Sequence, residues 1–243
     1  MIVKNLYAEL RSIIAGYDVP YRVMEGVASR IKGKRRDLMA FKDTDIVIDG
    51  FPRSANTYAT AFFAIAQGKP VRIAHHLHES YQIRFAEKHR IPCVILVRDP
   101  LDAVISAMLR NPNLRAAVLL RSYIRLYAEV LRVHQNSVIA PFDLVVSDSN
   151  TMIARVNEVY GTDFQLLADE DHEKVVEEIK RRDRRAFGTT ELDPRRIAAP
   201  SAEKFQAKFD LSTKIRTDHS ALIEKATNLY DAVLALDAKR TAQ

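Results

Sequence analysis

The pattern of apolar and polar positions contains two similar units, each a short apolar run followed by a polar turn and a helical pattern. The first has its apolar run at 46–49 and its turn at 51–57, and the second has its run at 92–97 and its turn at 98–102. Because continuous apolar runs of this length are typical of buried parallel strands, we predict both as strands. The unpaired N–H groups and the dipole of a helix N-terminus attract anions. Two such units therefore predict a ligand with two phosphate-like groups.

The rest of the chain alternates helical and strand patterns. Periodic apolar positions predict helices at 3–15, 57–67, 80–89, 101–109, 114–136, 151–160 and 220–239, and short apolar runs predict further strands at 71–74 and 143–146. The first of these helices has one apolar face, formed by Val3, Leu6, Leu10, Ile13 and Ile14. Helices that alternate with strands indicate βαβ units, so we predict an α/β fold with a parallel β-sheet flanked by helices.

The length of the chain is that of one large α/β domain. We predict a single domain over 1–243, with a cofactor-binding core at about 44–165 and a helical, charged C-terminal part at 166–243. Within that part, the stretch 168–200 is so rich in charge that we expect it to be mobile or exposed at the surface.

The charge of the chain narrows the class of partner. A formal net charge of +6 favours an anionic partner, without choosing among a nucleotide, a polyanionic substrate, nucleic acid and a membrane surface. Dense basic runs lie at 30–36 and 180–185. The single cysteine, Cys93, excludes an intrachain disulfide. We find neither a signal-peptide pattern nor an apolar stretch of membrane-spanning length, and therefore expect a cytoplasmic location.

The turn at 51–57 carries the side chains that an oxyanion site needs. Small residues at Ser54 and Ala55 let backbone N–H groups approach an anion, and Arg53 supplies a fixed planar cation. Further donors are the Asn56 amide and the Thr57 hydroxyl. The turn lacks the glycine spacing and the Lys-Ser/Thr pair of the common nucleoside-triphosphate loop, so a metal-bound triphosphate is disfavoured.

The run Pro52-Arg-Ser-Ala-Asn-Thr-Tyr58 resembles the 5′-phosphosulfate-binding loop of the sulfotransferase family, whose usual form is Pro-Lys-Ser-Gly-Thr-Thr-Trp. The departures are Arg53, Ala55, Asn56 and Tyr58, in place of lysine, glycine, threonine and tryptophan. The resemblance implies a P-loop NTPase-like sulfotransferase fold and 3′-phosphoadenosine-5′-phosphosulfate (PAPS) as the sulfuryl donor. It also implies that the residues from Arg53 to Tyr58 hold the 5′-phosphate end, with Arg53 catalytic as well.

A second motif of that family is similar to the turn after the run at 92–97. There an arginine at the strand end and a serine eight residues later hold the 3′-phosphate, and this sequence has Arg98 and Ser106 at that spacing. Either Asp99 or Asp102 is expected to cap the following helix. The family's C-terminal Gly-x-x-Gly-x-x-Lys loop is absent from the sequence. We leave open which basic residue replaces it, among Arg195, Arg196, Lys204 and Lys208.

A histidine-rich segment, 74–79, follows the predicted strand at 71–74. The family resemblance, aligned on a His-Leu pair, implies that His76 is the catalytic base, because a neutral imidazole can accept a hydroxyl proton. Glu79 stays an alternative, since other branches of the family use a glutamate. His76 and His78 would share a face in extended structure, which leaves a zinc site as a weaker alternative. We predict no metal.

These observations predict a sulfotransferase that moves a sulfuryl group from PAPS to a hydroxyl or amine by base-assisted in-line transfer. The acceptor is expected to be a small molecule, a glycan or a lipid, and an anionic one is favoured by the basic runs. Two alternatives remain open: a small-molecule kinase of the same layered fold, and a non-catalytic basic protein that binds a polyanion or a membrane surface. We expect no nucleic-acid partner, because the basic runs lack the interleaved aromatics that stack on bases. The oligomeric state is left open.

Overall fold

The computed structural model describes residues 2–32, 38–187 and 202–241 of the chain. Four strands lie in this part: β1 (Ile46–Gly50), β2 (Ile73–His75), β3 (Cys93–Val97) and β4 (Val138–Pro141). The helices are α1 (Ile2–Ile14), α2 (Asp18–Lys32), α3 (Asn56–Gln67), α4 (Ser80–His89), α5 (Pro100–Arg110), α6 (Ala116–Val133), α7 (Phe142–Ser147), α8 (Ser149–Tyr160), α9 (His172–Phe187), α10 (Ala202–Asp218) and α11 (Ser220–Thr241), with a 3-10 turn at Asp169–Asp171.

The four strands form one parallel sheet in the order β2-β1-β3-β4. The prediction of an α/β fold with a parallel sheet flanked by helices is confirmed. The central pair approaches closely at Gly50, where an added Cβ would lie 2.1 Å from the carbonyl oxygen of Leu96. Only glycine therefore fits at the end of β1. All four carboxyl ends meet at one edge of the sheet, the place where ligands bind in open α/β sheets.

Successive residues of each strand point to opposite faces of the sheet, and their side chains form two apolar layers, one on each face. The layer packed by α4, α6 and α11 contains Val47, Ile95 and Ile139, and the layer packed by α3, α8 and α9 contains Ile48, Leu96 and Ala140. All six side chains are buried. Burial on both faces explains why β1 and β3 are continuous apolar runs.

The predicted strand at 143–146 is wrong. Those residues lie in α7, while the strand beside β3 is β4. The predicted helix at 114–136 is shorter than expected, from Ala116 to Val133, and β4 follows it after four residues. Val145 is buried in α7 whereas Val146 is 45% exposed, so the apolar run at 144–146 serves one side of a short helix. A run of three apolar residues does not distinguish these two structures.

Most described residues of the stretch 168–200 are exposed, as expected, but many of them lie in a helix that the sequence analysis did not predict. Residues 172–187 form α9, which packs against α3. Val175 is buried there, although Val176 is 49% exposed. The remainder, 188–200, lies outside the described residues. The division into a single domain stays a prediction. In the described ranges, no helix is both long and apolar enough to cross a membrane.

Candidate active site

The loop after β1 forms an anion nest from its backbone. Arg53 and Ala55 both have left-handed conformations, with φ of 73° and 65°. Such residues alternate with right-handed ones in nests, which turn successive N–H groups towards one point. Ala55 occupies the N-cap position of α3, and no side chain caps the helix. The first-turn N–H groups of α3, which have no partner inside the helix, are therefore available to an anion.

Two of the predicted ligand-binding residues support the loop from within. The Asn56 amide nitrogen donates to the carbonyl oxygen of Phe51 at 3.0 Å. Ser54 is fully buried, and its N–H donates to the same carbonyl oxygen at 3.2 Å. The loop therefore presents backbone N–H groups and the Thr57 hydroxyl outward, while the Ser54 N–H and the Asn56 side chain hold its shape. Tyr58 continues α3 and packs against Phe62.

The loop after β3 has a different construction, because its helix is capped by the protein itself. The Asp99 carboxylate accepts from the N–H of Asp102 at 2.8 Å, and Pro100 occupies the start of α5. Asp99, and not Asp102, is thus the cap. The expected cap is therefore confirmed, and it occupies part of the N-terminus of α5. The second site must act through side chains.

Arg98 connects the two loops. One of its guanidinium nitrogens donates to the carbonyl oxygen of Arg53 at 3.0 Å, and the guanidinium lies 4.0 Å from the ring centroid of Phe142. Its nearest carboxylate is that of Asp102, at 3.8 Å. Burial lowers the pKa of Arg98 despite the nearby aspartates. The nearby carboxylates therefore do not fully offset the cost of burying this cation, and an anion that binds next to Arg98 would be favoured.

Arg53 completes this connection from the other side. Its Nε donates to the Ser106 hydroxyl on α5 at 3.0 Å. The sequence placed Arg53 in the first site and Ser106 in the second, and the structure brings the two side chains into contact. Arg53, Arg98 and Ser106 therefore form one continuous polar surface between the carboxyl ends of β1 and β3.

Two tyrosines on α6 fix the backbone of this edge. The Tyr127 hydroxyl donates to the carbonyl oxygen of Leu96 at 2.7 Å and accepts from the N–H of Phe51 at 3.2 Å. The Tyr123 hydroxyl donates to the carbonyl oxygen of Arg98 at 2.8 Å. Both rings are fully buried. The sequence analysis missed these residues, although their spacing of four along an amphipathic helix indicates a shared face.

The histidine segment lies beside the first loop, at the end of β2. His76 Nε2 is 3.1 Å from the Thr57 hydroxyl oxygen, and His76 Nδ1 is 2.5 Å from Nδ1 of His75. Removal from water, with the neighbouring histidines, lowers the pKa of His76 to about 3. The imidazole is therefore neutral at physiological pH, the protonation state that a proton acceptor needs.

Asp49 positions the histidine segment, and the sequence analysis missed it. The fully buried carboxylate accepts from the N–H groups of Leu77 and His78, both at 3.0 Å, and from the Gln82 side chain at 2.7 Å. Burial alone would raise the pKa of Asp49, but these hydrogen bonds and the histidines lower it to about 2. His76 and His78 both have positive φ, near 57° and 59°. The Asp49 contacts hold this unusual backbone.

Glu79, the alternative base, lies in a different environment. Its carboxylate is 3.2 Å from a guanidinium nitrogen of Arg11, whose Nε is 2.6 Å from Glu25. Burial raises the pKa of Glu79 to about 8, against the opposing charge of Arg11. Glu79 is thus one of two carboxylates that share a buried arginine. Of the two candidate bases, His76 is the one that contacts the first loop.

Arg182, on α9, is a further cation near the histidines. One guanidinium nitrogen donates to the Thr60 hydroxyl at 2.9 Å, and Nε contacts Glu178 at 2.8 Å. Its charge contributes to the lowered pKa values of His75 and His76. Position 182 follows Val175 and Ile179 at helical spacing, which indicates that the three residues share one side of a helix. The many charged residues around them obscured this pattern in the sequence.

The structure says less about the remaining candidates. Among the described residues, no group of three or more His, Cys, Asp or Glu side chains could hold a metal ion. Arg195 and Arg196 lie outside the described residues, as does the side chain of Lys204. Lys208 lies on α10. The predicted partner of the 3′-phosphate in the C-terminal part stays unassigned.

Comparison with known proteins gives similarity at the level of structure. No protein-family model matches the chain, and no curated protein matches it. A solved structure of mouse sulfotransferase SULT7A1 complexed with PAP is similar to it, with 15% sequence identity and a TM-score of 0.40. The match covers 80% of this chain and 92% of that one. At that identity and TM-score it supplies no residue roles, and those proposed below rest on the contacts of this chain.

Proposed function

We propose that this protein is a sulfotransferase that uses PAPS and transfers its sulfuryl group to a hydroxyl or amine of an acceptor. When bound, PAPS supplies an activated sulfuryl group. The motif resemblance of the two loops suggests this donor, and the arrangement of their side chains supports it. We propose a small molecule, a glycan or a lipid as the acceptor. The choice among them is set by surface loops and not by the fold.

One observation carries the proposal: the two predicted anion sites are in direct contact. Arg98 donates to the carbonyl oxygen of Arg53, and Arg53 donates to the Ser106 hydroxyl, each at 3.0 Å. A ligand with two separate phosphate-like groups would use both sites together. A ligand with one such group would leave half of this surface without a partner.

The residues of the first loop would hold the 5′-phosphate. Backbone N–H groups from Ala55 to Tyr58 and the Thr57 hydroxyl are the outward donors, while Ser54 and Asn56 keep the loop in shape. Arg53 would offset the charge that develops on the leaving oxygen, as fixed cations do in transferase sites. Its hydrogen bond to Ser106 orients the guanidinium before the ligand arrives.

The second loop would hold the 3′-phosphate through side chains. The planar fork of Arg98 suits a phosphate, and the Ser106 hydroxyl adds a neutral donor. Because the charge on a sulfuryl group is smaller than on a phosphoryl group, these cations and the backbone dipoles suffice without a metal ion.

At Nε2, His76 would take up the proton that the acceptor hydroxyl or amine loses. This atom faces Thr57, which belongs to the loop proposed for the donor, so the base stands next to the reacting group. The lowered pKa keeps the ring neutral. Asp49 would act by positioning, because it binds the backbone on the C-terminal side of His76.

The test is a calorimetric titration of the full chain with 3′-phosphoadenosine-5′-phosphate (PAP) in the presence of a chelator, beside AMP and Mg-ATP. We expect PAP to bind, and to raise the melting temperature by mass action, while AMP binds more weakly. Binding of Mg-ATP without binding of PAP would instead support the kinase. Failure of all three ligands to bind would leave the polyanion-binding alternative.

A further inference from the structure

Helix α1 turns its apolar side away from the protein. Leu6 is 58% exposed, Leu10 48% and Ile13 49%. These are residues of the apolar face found in the sequence, and helices that border a core normally bury such a face. The orientation is therefore the reverse of the usual one.

Polar contacts on the opposite side fix this orientation. Asn5 donates to the carbonyl oxygen of Asn113 at 3.0 Å, and the Glu9 carboxylate accepts from Arg121 at 2.7 Å. Ser12 accepts from Arg125 at 3.0 Å. These bonds join α1 to α6 and to the residues before it, so that α1 cannot turn its apolar side inward without breaking them.

Helix α2 adds a second set of exposed apolar residues to those of α1. Its exposed residues at 19, 23 and 27 recur at intervals of four, and Tyr17 lies between the two helices. We call this surface the outward stripe, and it consists of Leu6, Leu10, Ile13, Tyr17, Val19, Val23 and Val27. Exposed apolar surface of this extent on a soluble domain marks a binding face.

The acidic residues of α1 and α2 are neutralised by ion pairs. The sequence of α1 and α2 contains three acidic residues, and each is paired with an arginine: Glu9 with Arg121, Asp18 with Arg84, and Glu25 with Arg11. The stripe leads along the chain into the basic run at 30–36, which has five lysines and arginines. The part of this run after Lys32 lies outside the described residues.

We propose that the outward stripe docks on the anionic surface of a lipid bilayer. Apolar side chains on an interfacial helix enter the boundary between headgroups and acyl chains, and nearby cations bind anionic headgroups. A second copy of the chain is the less suitable occupant. A symmetric pair would bring together two chains that each carry a formal net charge of +6, with the acidic residues of α1 and α2 already engaged.

The test uses vesicle flotation of the full chain with phosphatidylcholine vesicles that do or do not contain phosphatidylserine. The wild type should bind the anionic vesicles, and higher salt should weaken the binding. The double variant Leu10→Ser, Val23→Ser should bind at least about tenfold more weakly, because both side chains belong to the proposed contact. Val176→Ser is the matched control, an exposed valine on α9 that should leave binding unchanged.

Thermal unfolding and PAP titration of the same variants separate docking from folding and from the proposed function. Both should be unchanged, because Leu10 and Val23 are exposed and neither belongs to the site. The proposal is overturned if the wild type does not float with anionic vesicles, or if the double variant floats as well as the wild type. Concentration-dependent dimers in lipid-free solution, abolished by the double variant, would assign the stripe to a second copy and also overturn it.

Discussion

The loops after β1 and β3 follow the same sequence plan, yet they leave their helices in opposite states. Helix α3 begins at a left-handed Ala55 with no side-chain cap, while α5 begins after Asp99, whose carboxylate caps it. The first loop therefore offers backbone N–H groups to a ligand. The second has satisfied part of its own helix terminus and offers the side chains of Arg98 and Ser106.

This difference shows that a strand, turn and helix pattern does not by itself define an anion site. What decides is whether the protein has already placed a carboxylate at the helix N-terminus. In the first loop, conformational strain at Arg53 and Ala55 keeps the N–H groups directed outward. In the second loop, the Asp99 carboxylate and a ligand would compete for the same N–H donors of α5. The Arg98 guanidinium would bind the ligand instead.

The largest effect is expected beside the first loop, on replacing His76, which contacts Thr57. His76→Ala should lower kcat by about a hundredfold to ten-thousandfold, the usual contribution of a general base, while PAP affinity is retained because the N–H groups remain. Steady-state kinetics and calorimetry check the two quantities. His134→Ala is the control, a histidine whose ring contacts only its own helix at Val130. Parallel loss of PAP affinity would instead give His76 a binding role.

The pH profile of the wild type tests the same residue without substitution. The pKa of His76 is lowered to about 3, so the ring stays deprotonated as the pH falls from 8 to about 5. We therefore expect kcat/KM to keep its value on this acid side. A base with the ordinary histidine pKa would lose activity by roughly thirtyfold at pH 5. Such a loss would contradict the assignment.

At the second loop, Arg98→Ala should weaken PAP binding by roughly a hundredfold, because charge-assisted hydrogen bonds to the phosphate are lost. The PAP affinity of Arg98→Lys should lie between those of the wild type and Arg98→Ala, because lysine keeps the positive charge but lacks the planar, two-pronged donor group of arginine. Arg132→Ala, on the exposed side of α6, is the matched control and should bind PAP as the wild type does. Unchanged PAP affinity in the Arg98 variants would remove the second site from the proposal.

Replacing the cap should affect stability rather than binding. Asp99→Ala should lower the free energy of unfolding by about 1 kcal/mol, the usual cost of a lost N-cap. Asp148→Ala is a matched change, because Asp148 caps α8 in the same way. Denaturant unfolding and PAP titration of both variants complete the comparison. A tenfold change in PAP affinity in the Asp99 variant alone would mean that the ligand touches the α5 terminus.

The smallest effect concerns the strain in the first loop. Ala55→Gly should raise the free energy of unfolding by about 0.5 kcal/mol, because relief of the left-handed strain exceeds the entropy cost of glycine. Ala128→Gly, on the exposed side of α6, should lower it by about 0.5–1 kcal/mol, since no strain is relieved there. Chemical denaturation measures both. If Ala55→Gly lowered the free energy of unfolding as much as Ala128→Gly does, the inference that Ala55 is strained would be contradicted.

The sequence predicts those parts of the fold in which one physical signal dominates. Burial on both faces makes β1 and β3 continuous apolar runs, and both were predicted to within one residue. β4 was missed because the apolar run at 144–146 suggested a strand more strongly, although it belongs to α7. α9 was missed because its charges hide the helical spacing of Val175, Ile179 and Arg182.

The site was less accessible to sequence reasoning than the fold. The motif spacing indicated Arg53, Arg98 and Ser106, but not that Arg53 and Ser106 touch. The left-handed conformation of Ala55 is invisible in a sequence, because alanine rarely adopts it. Asp49 looked like an ordinary strand end, and only its buried hydrogen bonds identify it as the support of the histidine segment.

The bond from Arg98 to the carbonyl oxygen of Arg53 would make the binding of the two halves of the proposed ligand thermodynamically coupled. If PAPS binds as proposed, a 3′-phosphate that anchors Arg98 also steadies the loop meant for the 5′ end. The affinity of PAP would then exceed what the affinities of AMP and the isolated phosphate predict when treated as independent. This coupling free energy is reciprocal, so each half would strengthen the other by the same factor. Selectivity against mononucleotides would thus arise in part from a hydrogen bond within the protein, between one residue of each loop.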